Sequence, residues 1–173
     1  MTDRFKFRAY VEDFCFDDED GNEYKKSLMF YGVTVYDCAT VGISDDELEK
    51  QLKTQGFTDN EIEQFESCCS EYDGWFTLDV DFVEQCTGLK DKNGKLIYEG
   101  DVVEFYSMSF LDALSGRQLK RKVGRVVWNN EYLKVDVIVG NETIPDLCVK
   151  TDDGHFVIIG NIHENPERLE GVK

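Results

Sequence analysis

The sequence predicts a mainly β protein of the α+β class: a small β-barrel in the second half, strands at the N-terminus and a helical hairpin inserted between them. Three observations carry this. Apolar residues alternate at period two over much of the chain. Tight-turn signals recur at short intervals after residue 86. Between residues 44 and 71 the period becomes helical, behind two cap signatures.

Residues 4–12 open the chain as a strand. Phe5, Phe7, Ala9 and Val11 share one face, and Lys6, Arg8, Tyr10 and Glu12 the other. The acidic loop Asp17-Asp18-Glu19-Asp20-Gly21-Asn22-Glu23 follows, then an aromatic and β-branched strand from Leu28 to Tyr36. Ser44 before Asp45-Asp46-Glu47 reads as a capping box opening a helix to about Lys53, with Gly56 ending it. Thr58 and Glu61 form a second box for a helix to about Ser70. Leu48 and Leu52, and then Ile62, Phe65 and Cys69, are the apolar stripes. They are narrow, so the hairpin is expected to pack on a sheet.

Alternation resumes over Trp75–Val83. Asn93-Gly94 is read as a type I′ turn joining 89–92 to 95–98, and Glu99-Gly100-Asp101 turns the chain into 102–106. Residues 107–118 read as a longer loop. A hairpin over 122–128 and 132–139 turns at Asn129-Asn130, with Leu133, Val135, Val137 and Val139 inward. A last pair is 143–149 with 155–159, and Pro145 marks the former as an edge. The organisation expected is an acidic region over 1–85, a barrel over 86–167 completed by the N-terminal strand, and a tail over 168–173.

The net charge is −17 over 173 residues. Residues 1–85 hold 22 acids against 7 bases, and residues 86–173 hold 14 against 12. The first half therefore repels nucleic acid and anionic membrane and attracts basic partners. Direct nucleic-acid binding is not expected of the whole chain. The longest apolar runs, such as Phe156–Ile159, are too short to cross a bilayer. Met1 is followed by polar residues, with no signal segment, so a cytoplasmic location is expected.

No catalytic, metal or cofactor site is expected. Six cysteines (Cys15, Cys38, Cys68, Cys69, Cys86 and Cys148) match no zinc spacing and read as mostly buried reduced thiols. If Gly21 takes the glycine place of an EF-hand loop, Phe16 and Ser27 fall where carboxylates are required, so calcium is set aside. His155 and His163 have no ligand or nucleophile at matching spacing. A basic stretch, Arg117, Lys120, Arg121, Lys122 and Arg125, with Lys90, Lys92 and Lys95 near the first hairpin, allows a rival nucleic-acid-binding barrel. Trp128 is its best stacking residue. Pairing of these bases with the acidic half, within the chain or between subunits, is the plainer expectation.

The run Thr87-Gly88-Leu89-Lys90-Asp91-Lys92-Asn93-Gly94-Lys95-Leu96-Ile97-Tyr98-Glu99-Gly100-Asp101-Val102-Val103 resembles the signature of the YopX family, small proteins of phages and prophages. Phe5–Ala9, Gly124–Trp128 and Ile158–Pro166 agree with it in order. The resemblance implies an SH3-type β-barrel, self-association into a homo-oligomer and a bacterial host cytoplasm. It implies no activity and no site residues. Cys86 stands where the family has an aromatic, and residues 14–75 depart from its pattern.

The functional expectation joins that setting to the charge. A non-enzymatic accessory protein would mimic nucleic acid and occupy the basic groove of a host nucleic-acid-handling or defence protein. Asp17, Asp18, Glu19, Asp20 and Glu23 would supply one cluster. Asp45, Asp46, Glu47, Asp59, Glu61, Glu63 and Glu66 would supply another along the helices. Carboxylates spaced on a helix imitate a row of phosphates and steer encounter. An oligomeric sponge for a signalling nucleotide is a further alternative.

Overall fold

The computed structural model describes residues 6–36, 39–107, 120–129, 131–132, 134–144 and 156–170. The protein is mainly β, with a few short helices. It divides into two compact units, Lys6–Gln85 and the described residues from Cys86 onward. Each has its own apolar core.

The first unit begins with β1 (Phe7–Asp17), antiparallel to β2 (Glu23–Tyr31) on one edge and to residues 82–85 of β7 (Phe82–Lys90) on the other. The faces of β1 do not divide into core and solvent as the alternation implies. Ala9 and Val11 are buried, but so are Arg8 and Tyr10. The Arg8 Nε donates to Glu84 Oε2 at 2.6 Å, so the second face is covered around a buried ion pair. Between Val11 and Phe14 the register slips by one residue. Asp13 adopts φ 53° there, and the inward positions change from Ala9 and Val11 to Phe14 and Phe16.

A second sheet runs β3 (Thr34–Val35), β4 (Thr40–Ser44), β6 (Trp75–Asp79), β5 (Ser70–Tyr72). The strand expected over 28–36 is thus two strands broken at Gly32, whose φ is 72°, and that over 75–83 breaks after Asp79. Two helices, α1 (Asp45–Thr54) and α2 (Asp59–Ser67), send Leu48, Leu52, Ile62 and Phe65 into the core. The Thr58–Glu61 capping box is formed on both sides. The one expected at Ser44 is not: its side chain makes no cap bond, and of the first-turn amides that of Asp45 donates to the Gly74 carbonyl at 3.1 Å.

Glutamines fasten the helices to the strands. Gln51 accepts from the Tyr31 amide at 2.7 Å and donates to the Tyr31 carbonyl at 2.8 Å. Gln55 does the same for Met29 at 3.0 and 2.9 Å, and Gln64 for Asp17 at 2.8 and 3.0 Å. Each carboxamide imitates a strand residue, and two of them occupy the outer edge of β2.

In the second unit, residues 86–90 of β7 pair with β8 (Leu96–Tyr98). A five-stranded antiparallel sheet follows in the order β12 (Glu142–Ile144), β11 (Lys134–Val139), β10 (Lys120–Asn129), β9 (Asp101–Ser107), β13 (Val157–Asn161). A short helix, α3 (Glu167–Glu170), ends the described chain. Asn93-Gly94 is not a type I′ turn, since Gly94 alone has positive φ. Asp91 builds this loop: its Oδ1 accepts from the Asn93 and Lys95 amides at 2.9 Å each. β13 pairs with β9, and the expected pair of 143–149 with 155–159 cannot be followed, because residues 145–155 lie outside the described residues. The expected inward residues Val135 and Val137 are buried, while Leu133 falls outside the described set.

Candidate binding surface

The expected acidic residues divide into those that face solvent and those the fold consumes. Asp17, Asp18, Glu19, Asp20 and Glu23 are exposed. Asp18 nevertheless also shapes its own loop, because its Oδ1 accepts from the Asp20 and Asn22 amides at 3.0 and 2.8 Å. These bonds, with that from the Asn22 side chain, hold its carboxyl below the ordinary range. Among the described residues no group of three His, Cys, Asp or Glu side chains is placed to hold a metal ion.

On the helices, Asp45, Asp46, Asp59 and Glu63 are exposed, and Glu47 and Glu66 are half-buried. Glu47 pairs with Lys50 at 2.9 Å, which, with Gln51, lowers its pKa. Burial pushes the Glu66 carboxyl up, and Asp45, Glu49, Glu63 and Glu71 push it further. That shift marks a concentration of negative charge where α1, α2 and β5 meet. Glu61 does not belong to the surface. It is 3% exposed and accepts from Tyr24 Oη at 2.7 Å, from the Thr58 amide and hydroxyl at 2.7 and 2.9 Å, and from Lys26. Burial opposes its charge, but the Lys26, Thr58 and Tyr24 bonds outweigh that and bring its pKa down to about 2. The same Tyr24 bond, with burial, pushes the Tyr24 phenol up to about 12.

Most bases of this unit are committed to carboxylates. Arg8 faces Glu84, Lys25 faces Asp13, Lys26 faces Glu61, Lys50 faces Glu47, and Lys53 faces Glu49 and Asp59. The acids of the unit far outnumber its bases, so these pairs leave a surplus of negative charge.

A second feature, unmarked in the sequence reading, lies on the outer face of the β3–β4–β6–β5 sheet. Thr34, Tyr36, Tyr72, Asp73, Trp75 and Thr77 line a groove of about 540 Å³. Asp73-Gly74 closes the β5–β6 hairpin with φ of 52° and 74°, the type I′ conformation, and sets Tyr72 opposite Trp75. A Cβ on Gly42 would stand 2.5 Å from the Tyr36 hydroxyl oxygen, so only glycine there lets Tyr36 lie over the sheet. The Asp-Gly pair between two aromatics was the signal available.

The thiols depart from expectation. Cys15 and Cys68 are exposed, Cys69 is half-buried and only Cys86 is buried; Cys38 and Cys148 fall outside the described residues. Burial pushes the Cys69 thiol up to about 12, away from a reactive thiolate. In the second unit, Arg121 pairs with Glu104 on the neighbouring strand β9, and Lys122 with Glu142 on β12, two strands away, at 3.3 Å, both within the same sheet rather than in the acidic unit. Trp128 packs against the second core. His163 is half-buried in a turn, where its amide donates to Asn161 Oδ1 at 2.8 Å; His155 and Arg117 are outside the described residues. Among the described residues no helix is long and apolar enough to cross a membrane.

These features define a mainly β, two-unit protein with an acidic first unit. A YopX protein family model matches residues 6–170, nearly the whole chain. The chain belongs to the YopX family. Among solved structures it is similar to the crystal structure of protein EF1440 from Enterococcus faecalis, at 17% identity and a TM-score of 0.43, over 94% of this chain and 97% of that one. No curated protein matches the chain.

Proposed function

We propose that this YopX-family chain is a non-enzymatic binding protein whose acidic unit occupies the nucleic-acid groove of a basic host protein. The observation that carries the reading is the excess of acids over bases in the first unit. Arg8, Lys25, Lys26, Lys50 and Lys53 are already paired, so Asp17, Glu19, Asp20, Glu23, Asp45, Asp46, Glu63 and Glu66 are left to act outward. Such a surface attracts what nucleic acid attracts. The reading takes the protein as a phage-type accessory factor of the bacterial cytoplasm that assembles with copies of itself. It takes the second unit as an SH3-type barrel and α1–α2 as a helical hairpin. Pairing of Arg121 and Lys122 within their own sheet disfavours the rival in which that barrel binds nucleic acid directly.

The test compares the wild type with a variant carrying Asp45→Asn, Asp46→Asn, Glu63→Gln and Glu66→Gln. Glu61 stays, because its carboxylate holds the fold. From bacterial lysate the wild type is expected to retain a nucleic-acid-handling protein and to compete with nucleic acid for it, and the variant to do neither. Equal retention by both, or recovery of proteins that bind no nucleic acid, would sink the reading.

A further inference from the structure

The aromatic groove specifies more than a negative surface does. Tyr36, Tyr72 and Trp75 are 58%, 84% and 46% exposed, yet all three converge on one concavity with Asp73 at its wall. Its volume of about 540 Å³ is that of a ligand site. Aromatic faces present negative π density, and Asp73 and the surplus charge of the unit add to it. A phosphate or carboxylate is repelled there. A neutral apolar segment would cover the rings but strip water from Asp73 without replacing its hydrogen bonds. A cation satisfies both. Between the two cationic side chains, the guanidinium is the better match: it is planar, stacks on aromatic faces, sheds water more readily than an ammonium and forks to a carboxylate.

We propose that this groove receives an arginine side chain presented by a basic segment of the partner protein. The guanidinium lies against the Tyr72 and Trp75 rings and donates to the Asp73 carboxylate, with Tyr36 walling the far side over Gly42. The proposal rests on the reading of the first unit as the partner-binding half, and it adds a side-chain preference that a diffuse acidic surface lacks.

The test uses the full chain with Trp128→Phe, so that Trp75 in the groove is its own fluorescent reporter. Tetra-arginine, tetralysine and tetracitrulline peptides are titrated at low salt. Tetra-arginine is expected to give a saturable change in Trp75 emission, tetralysine to bind about fivefold more weakly, and tetracitrulline not to bind. Tyr72→Ala, Tyr36→Ala and Asp73→Asn are each expected to weaken tetra-arginine by about three- to tenfold. The tyrosines are exposed, and asparagine tolerates the positive φ at 73, so unchanged melting curves verify the fold.

Equal binding of arginine and lysine peptides, with the tyrosine variants like wild type, overturns the groove. If the four-carboxylate variant then loses binding, the acidic-surface reading stands alone. Tight tetracitrulline binding overturns the proposal in favour of a neutral segment. A Trp75 shift on concentrating the protein alone, with a dimer in sedimentation, overturns it in favour of a second copy of this chain. Absence of binding by every peptide rejects both readings.

Discussion

Glu61 shows how a formal charge becomes an internal fastening. It closes the α2 cap through Thr58 and, through Tyr24 and Lys26, ties that helix to β2. The Lys26 ammonium also lies 4.7 Å from the centroid of the Phe57 ring, so the group sits between a polar cap and the core. Glu61→Gln keeps the shape but removes the charge from these hydrogen bonds. It should cost about 1.5–3 kcal/mol, the usual worth of a bond to a charged group, measured by urea unfolding at neutral pH. The pH dependence has a definite sign. The folded carboxyl titrates near 2 against an ordinary value of 4.5, so its contribution is fully present above about 4.5 and is lost as pH falls towards 2. Glu61→Gln should flatten the stability curve across that window; an unchanged slope there would refute the role. Sequence reading placed Glu61 correctly in a capping box and wrongly on the surface. The local pattern determines the cap, whereas burial depends on β2, which is distant in sequence.

At the level of elements, local chemistry was legible where it was decisive. The second helix starts at Thr58 because two orphan amides are satisfied within one four-residue motif. The same logic failed at Ser44, whose side chain makes no cap bond, while a carbonyl from the β5–β6 turn takes the Asp45 amide. It failed again at Asn93-Gly94, where Asp91 supplies the turn's bonds. The one-residue bulge in β1, and the placement of Tyr36 beside the Tyr72–Trp75 pair that Asp73-Gly74 signalled, were beyond reach for a related reason. Each is set by strands that meet through pairing, not by spacing along the chain. The glutamines illustrate it best. Nothing in the helical pattern marks Gln51 and Gln55, yet they bond the free edge of β2. Gln51→Ala with Gln55→Ala removes four such bonds, for an expected loss of about 1–3 kcal/mol after discounting for solvent access. It also uncovers a strand edge. Light scattering should show association of the double variant before it melts; a variant that stays monodisperse with wild-type stability would contradict this account.

For the molecule as a whole, the asymmetry of charge predicts an asymmetry of salt response. Each unit contains one tryptophan, Trp75 in the first and Trp128 in the second. Trp128→Phe and Trp75→Phe therefore give separate optical reports. Raising salt from about 0.01 to 0.1 M contracts the screening length from about 30 to 10 Å. Self-repulsion in the first unit should weaken accordingly, and the Trp75 transition should rise by about 5 °C, equivalent to ~1 kcal/mol for a domain of this size. The Trp128 transition, from a region with nearly balanced charge, should move much less. Equal shifts would show that the surplus carboxylates do not strain the first unit.

The pairing of β1 with Phe82–Gln85 also fixes an order of events on the ribosome. β1 and β2 are neighbours in the chain and can join as soon as both have emerged. The opposite edge of β1 must wait for Glu84, made 76 positions after Arg8. At about 5–20 residues per second that interval is on the order of several seconds. Through it, Arg8 stands as a cation on an open strand edge, a placement that discourages a neighbouring nascent chain from adding its own strand. When Glu84 arrives the same guanidinium is enclosed and becomes the ion pair that closes the sheet. One side chain thus guards the unfinished edge and then seals it.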